Sequence, residues 1–181
     1  MPNTVLRRFG AVLLATGLGA ALSAGPASAR PASSVCDKVS AASVSAIVGY
    51  TVPAGRVDTL RLKPTKQNDG ISGEITICTY GEQTLSGLKK SVTLSTELLS
   101  RPLRSGELQK LLAQASTGPT KITFTPYAGL GVSALSFTLA IGPFKTQAIG
   151  AFTGNREFGA SVFSGLPLSK LGALAKLAAT L

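Results

Sequence analysis

Apolar residues recur at every second position in several stretches of the chain, and this period predicts β-strands. In residues 74–80, for example, Ile75 and Ile77 alternate with more polar neighbours. Gly154-Asn155 separates the last two stretches and is a two-residue hairpin signal. Residues 50–62 hold one or two further short strands, interrupted by Pro53 and Gly55. The predicted strands cover residues 74–80, 91–99, 122–124, 135–141, 144–153 and 156–164.

Three other stretches have apolar residues at helical spacing. Ser40 and Gly49 bracket residues 41–48 as an N-cap and a C-terminal stop. Ser105 begins a second predicted helix, which ends at Gly118-Pro119. A third helix is predicted over residues 166–181, with Lys170 and Lys176 facing outward. Its apolar stripe comprises Leu168, Leu171, Leu174, Leu177 and Ala178.

The order of these elements predicts the fold class. A helix, strands, a second helix, a run of strands and a last helix make an α+β order rather than a βαβ repeat. We therefore expect a single antiparallel sheet with helices packed on one face.

The first 29 residues have the three parts of a secretory signal peptide: a basic start, an apolar run and a small-residue cleavage site. We expect cleavage after Ala29, which leaves Arg30 as the new N-terminus. The apolar run is shorter than the roughly 20 residues of a membrane span, so no transmembrane segment is expected in the mature chain. Arg7-Arg8 leaves twin-arginine export open beside the general route. Residues 30–35 form an extended tether, and residues 36–181 form a single secreted domain.

Cys36 and Cys78 are the only cysteines. In an oxidising compartment such a pair predicts a structural disulfide. The bond would close a loop of about 40 residues and stabilise the fold by ~3–4 kcal/mol in the chain-entropy model.

Several of these features together resemble one protein family. Cys36 precedes a capped helix that ends at Gly49, Cys78-Thr79-Tyr80 lies in a later strand, and Gly129-Leu130-Gly131 precedes the last strands. This pattern is similar to that of the small secreted and lipid-anchored envelope proteins of actinobacteria. The resemblance implies an α+β domain in the cell envelope, and it implies no activity, cofactor or site residue.

Composition excludes several kinds of chemistry. The chain of 181 residues has no His, which removes the His general base, the Ser-His-Asp triad and His-ligated metals. We therefore expect no enzyme, no catalytic residues, no cofactor and no metal site. The net charge of +10 falls to about +8 without the signal peptide. The basic residues are scattered, which argues against nucleic-acid binding and favours a weak attraction to anionic envelope surfaces.

Three motifs suggest chemistry, and each has a simpler interpretation. Residues 129–134 match the dinucleotide fingerprint, but a strand pattern follows them, so we expect a tight turn. Ser86 and Lys89 match the S-x-x-K nucleophile motif, without its companion motifs. The candidate carboxylates for an acid–base pair lie at turns or strand ends: Asp69, Glu74, Glu82 and Glu157.

The last strands keep apolar residues on both of their faces. This two-sidedness predicts a binding face, because a sheet with one solvated side needs only one apolar face. The leading hypothesis is a non-enzymatic binding module for an envelope protein, glycan or lipid. A small secreted hydrolase that uses carboxylates and a carrier of an apolar ligand are the alternatives. The predicted binding face comprises Ile149, Phe152, Phe158 and Phe163.

Overall fold

Seven strands form one antiparallel sheet in the order β1-β2-β3-β7-β6-β5-β4. The computed structural model describes residues 35–64, 70–81, 90–104, 107, 122–141, 144–163 and 165–181. Each neighbouring pair of strands runs antiparallel, so the predicted sheet type is confirmed. The strands are β1 (Arg56–Leu62), β2 (Gly73–Tyr80), β3 (Val92–Leu99), β4 (Thr123–Pro126), β5 (Ser133–Ile141), β6 (Phe144–Thr153) and β7 (Arg156–Val162).

Helix α1 (Ala41–Val48) begins and ends where the sequence predicts. The Ser40 hydroxyl accepts a hydrogen bond from the Ser43 amide at 3.1 Å, which satisfies one of the free amides of the first turn. Gly49 ends the helix with φ 88°, a conformation that costs glycine little because it lacks a Cβ.

Helix α2 (Leu168–Ala178) is shorter than the predicted helix over 166–181. It starts directly after Pro167, whose fixed φ suits the beginning of a helix. Lys170 and Lys176 are exposed, as predicted. Leu168 is exposed at the first position, so it does not belong to the buried stripe. The buried stripe consists of Leu171, Leu174, Ala175 and Ala178.

One hydrophobic cluster joins both helices to alternate residues of the strands. The predicted disulfide between Cys36 and Cys78 is present at its edge, with the two Cα atoms 5.5 Å apart. Cys36 lies in a 3-10 turn, Val35–Lys38. Tyr80 is fully buried beside it and donates a hydrogen bond to the Val39 carbonyl at 2.8 Å. The strand members of the cluster are Cys78, Tyr80, Val92, Leu94, Ala134, Ile149, Ala151, Phe158, Ala160 and Val162.

Strand residues of the opposite parity are buried as well. Ile75 and Ile77 of β2, Phe137 and Leu139 of β5 and Ala148 of β6 are all core residues outside this cluster. Strand β4 follows β3 along the chain but is separated from it in the sheet by β7, β6 and β5, and residues 100–122 make the connection. The helix predicted over residues 105–118 falls in that connection and outside the described residues.

Two glycines shape the tight turns of the last strands. Gly154 has φ 59° and, with Asn155, joins β6 to β7, which confirms the predicted hairpin. Gly131 has φ 70° and joins β4 to β5, so residues 129–134 form a turn that leads into a strand. Only one strand, β1, forms in residues 50–62.

Candidate functional site

Two glutamates face each other in the middle of the sheet. Glu97 on β3 and Glu157 on β7 are direct partners across the antiparallel pair. Both are buried, with 4% and 6% of their surface exposed. Carboxylates are rarely buried without a partner of opposite charge, so this pair is the most unusual polar feature among the described residues.

The backbone around the pair leaves room for the carboxyl groups. A Cβ atom on Gly73 would lie 2.9 Å from Oε1 of Glu97, so only glycine fits beside it without displacement. Gly159 follows Glu157 on the same face of β7, and it presents no side chain. Oε1 of Glu157 is buried and has no hydrogen-bond partner in the described part of the chain.

Both carboxyl groups favour their protonated form. Burial raises the pKa of Glu97 from 4.5 to about 7, because the protein interior solvates a charge poorly. Burial also raises the pKa of Glu157 well above its usual range, and the charge of Glu97 raises it further. A protonated carboxyl beside an ionised one can donate a hydrogen bond to it, so this pair is able to hold a proton.

The sequence pointed to Glu157 but not to its partner. Glu97 occupies a polar position in the alternating pattern of β3, which suggests a solvated face. The cross-strand register brings it to Glu157, and no local motif encodes that pairing. Of the other predicted carboxylates, Glu74 is exposed and contacts Arg61 at 3.4 Å. Asp69 and Glu82 lie outside the described residues.

The residue that follows Glu97 on β3 and the residue that precedes Glu157 on β7 point to the opposite face of the sheet from the two glutamates. Leu98 and Arg156 are direct partners, and Leu98 is 59% exposed although β3 is an interior strand. Glu74 continues this row on β2 and Arg61 continues it on β1. Two residues inward on the same face, three threonines form a parallel row on β1, β2 and β3: Thr59, Thr76 and Thr96.

Basic side chains gather at this end of β1, β3 and β7. We call the set the basic end; it comprises Arg61, Lys63, Arg101, Arg104 and Arg156. Arg156 donates a hydrogen bond from Nε to the Thr96 hydroxyl at 3.0 Å, which holds its guanidinium over the threonine row. Apart from the buried pair Glu97 and Glu157, the described acids at this end are Glu74 and Glu107, so positive charge predominates on the surface there.

Arg101 and Glu107 form a two-pronged ion pair beside the basic end. Both terminal nitrogens of Arg101 donate to the carboxylate, at 2.8 and 2.7 Å. The Arg104 amide donates to the same carboxylate at 2.5 Å. Hydrogen bonds from Arg101 and Arg104 lower the pKa of Glu107 to about 2, so Glu107 is ionised.

The predicted binding face does not form one exposed surface. Ile149 and Phe158 are buried members of the core cluster. Phe152 has the opposite parity to Ile149 on β6, Phe163 directly follows the end of β7, and both are partly exposed. The division follows from the sheet, because each strand alternates its side chains between two faces and both faces are covered in part.

The remaining predictions concern a nucleotide-binding turn, a nucleophile motif, a cleavage site, a metal site and a membrane span. No helix follows the turn at residues 129–134, so the geometry needed to hold a pyrophosphate is missing there. Ser86, Lys89, Ala29 and Arg30 lie outside the described residues. Within the described ranges, no three His, Cys, Asp or Glu side chains gather as a metal site. No helix in those ranges is both long and apolar enough to cross a membrane.

Comparison with protein-family models and with curated proteins found no match to this chain. The resemblance to envelope proteins of actinobacteria therefore stays a prediction from the residues that carry it.

Proposed function

We propose that this chain is exported and that its mature domain binds an anionic polymer of the cell envelope without catalysing a reaction. The basic end would be the contact surface, with Leu98 at its centre. In this proposal the two helices pack on one face of the sheet and leave the rows beside Leu98 free for the polymer. The actinobacterial resemblance, the disulfide and the signal-like first 29 residues favour an envelope location.

The exposure of Leu98 is the observation that carries the proposal. A leucine on an interior strand is ordinarily covered, because both neighbouring strands and the layer above remove it from water. Here its cross-strand neighbours are the charged residues Glu74 and Arg156. An apolar centre with a polar and charged rim is the arrangement of many binding surfaces.

The positive charge of the basic end favours an anionic partner. Arg156 lies on the strand next to Leu98, and Arg61 lies two strands away on the other side. Lys63 directly follows the end of β1. Guanidinium groups pair well with phosphate and carboxylate oxygens. Threonine hydroxyls from the adjacent row add donors and acceptors for sugar hydroxyls. A phosphate- or carboxylate-bearing glycan fits this set better than a neutral one.

Sedimentation with purified cell-wall fragments would test this proposal. The mature chain should sediment with fragments that keep their anionic polymers, and much less with fragments stripped of those polymers. Binding should weaken as salt rises from 50 to 500 mM, roughly the range over which surface charges become screened. Equal sedimentation with both preparations would contradict the proposal.

Two variants locate the surface. The double variant R61Q/R156Q should lose at least about tenfold in binding, as expected for two charge-assisted contacts of about 1 kcal/mol each. The matched control is K145Q/K176Q, which removes two exposed charges elsewhere on the domain. Equal losses in the two double variants would show a general charge effect rather than a site.

A small hydrolase that uses carboxylates is the second candidate, and the Glu97–Glu157 pair favours it. Retaining glycosidases place two carboxyl groups about 5 Å apart, and direct cross-strand partners have similar separations of their Cβ atoms. The burial of both glutamates argues against it, because a substrate has to reach them. Release of reducing sugar from wall fragments by the wild-type chain, abolished in E157Q, would establish this candidate instead.

A further inference from the structure

We propose that Glu97 and Glu157 hold one proton between them, and that loss of this proton weakens the pairing of β3 with β7. The pair would then be a pH-sensitive element in the middle of the sheet. This inference does not rest on the proposed binding function.

The position of the pair explains why loss of the proton would weaken the sheet. Strands β3 and β7 are the third and fourth of the seven, and they join the half that holds β1 and β2 to the half that holds β4, β5 and β6. Direct partners in an antiparallel pair have Cβ atoms about 4.5–5.5 Å apart, and like charges at that distance destabilise the pair. Two ionised carboxylates at this point would push apart the strands that connect both halves of the sheet.

A shared proton also satisfies an otherwise unpaired atom. Oε1 of Glu157 is buried without a hydrogen-bond partner in the described part of the chain. A buried polar atom without a partner costs free energy. A proton held on one carboxyl group and donated to the other would remove that cost and one of the two charges.

The described neighbours do not neutralise the pair. Ile75 of β2 and Phe152 of β6 face it from the adjacent strands, and both are uncharged. On β1, Arg56 and Asp58 share its parity but contact each other at 3.2 Å. After β3, the described charged groups are Arg101, Arg104 and Glu107. The Arg101 guanidinium pairs with the Glu107 carboxylate, which also accepts from the Arg104 backbone amide.

The chemistry of the two groups agrees with this geometry. Burial raises the pKa of both carboxyl groups, and that of Glu97 reaches about 7. The pair therefore still holds a proton at pH values well above pH 4, where solvated carboxyl groups titrate.

Infrared spectroscopy of the folded mature chain tests the shared proton directly. A protonated carboxyl absorbs separately from a carboxylate, so a spectrum at pH 6 should contain the signal of at least one protonated carboxyl group per chain. That signal should weaken as the pH rises above about 7, where Glu97 titrates, and it should be altered in both E97Q and E157Q. Fully ionised carboxylates at pH 6 in the wild-type chain would overturn the inference.

Hydrogen exchange tests the effect on the strands. After correction for intrinsic rates, amides of β3 and β7 should exchange at least about tenfold faster at pH 8.5 than at pH 6 in the wild-type chain. The increase should be smaller in E97Q and in E157Q, should vanish in E97Q/E157Q, and should persist in the control E74Q, which removes an exposed carboxylate. The same protection at both pH values in the wild-type chain would overturn the weakening. The infrared measurement needs no variant, so it decides the proton even where a substitution impairs folding.

Discussion

Leu98 and Arg156 face each other across β3 and β7, one residue along from Glu97 and Glu157. The alternation of a β-strand places the two pairs on opposite faces of the sheet. One pair is buried and acidic, and in the other Leu98 is exposed while Arg156 is half-buried and belongs to the basic end. The same two strands therefore carry the strongest candidate for a proton site and the strongest candidate for a contact surface.

The stability of the wild-type chain should fall as pH rises from 5 to 8. A carboxyl group whose pKa is raised in the folded state keeps its proton longer there than in the unfolded chain, so the folded state loses its advantage as the pH passes the raised pKa. For Glu97 the change from 4.5 to about 7 corresponds to a loss of about 3 kcal/mol. Urea denaturation at several pH values measures this slope.

The variants E97Q and E157Q should each reduce the slope of that profile, and the double variant E97Q/E157Q should flatten it. Glutamine keeps the size of the side chain and does not ionise, so in each single variant the remaining carboxyl group faces no neighbouring charge but is still buried. The variants should match or exceed the wild type in stability at pH 8, while E74Q should follow the wild-type profile. A parallel profile for the wild type and both buried variants would exclude the pair as its source.

The sequence predicts helix caps and tight turns better than it predicts which residues are buried in the middle of the sheet. Ser40, Gly49 and Gly154 act locally, and the helix and turn predicted from them are confirmed, because capping and positive φ depend on adjacent residues. The burial of Glu97 depends on the register of β3 with β7 and on the cover over both faces of the sheet. These are long-range properties, so the polar period of β3 suggested a solvated side where the structure has a buried one.

The substitution Y80F should destabilise the fold by about 1–3 kcal/mol, because it leaves buried acceptors without their donor. The Tyr80 hydroxyl donates to the carbonyls of Val39 and Cys36, at 2.8 and 3.3 Å, and the residue is fully buried. Thermal denaturation of the oxidised protein measures the loss. The control is Y127F, whose hydroxyl makes one long, exposed contact with the Leu168 carbonyl, and a loss as large as that of Y80F would contradict this argument.

The substitution G159A should destabilise the sheet by about 1–3 kcal/mol, the usual range for overpacking. A Cβ atom there would lie 2.5 Å from the Ile149 carbonyl oxygen, which belongs to the backbone of β6 and cannot rotate away. The substitution G165A is the matched control, since its Cβ would meet nothing within 4 Å. Chemical denaturation should separate the two variants, and similar stabilities would show that β6 and β7 adjust freely.

Leu94 and Leu98 lie on the same face of β3 but differ in exposure, so the effects of truncating them can be compared directly. Leu94 is fully buried in the core cluster, so L94A should lose about 2–5 kcal/mol. Leu98 has the same parity but is 59% exposed, so L98A should change the free energy of unfolding by less than about 0.5 kcal/mol. If Leu98 is the centre of a contact surface, L98A should nevertheless bind wall fragments less well. Denaturation and sedimentation of the same preparations measure both quantities, and a stable L98A variant with unchanged binding would remove Leu98 from the surface.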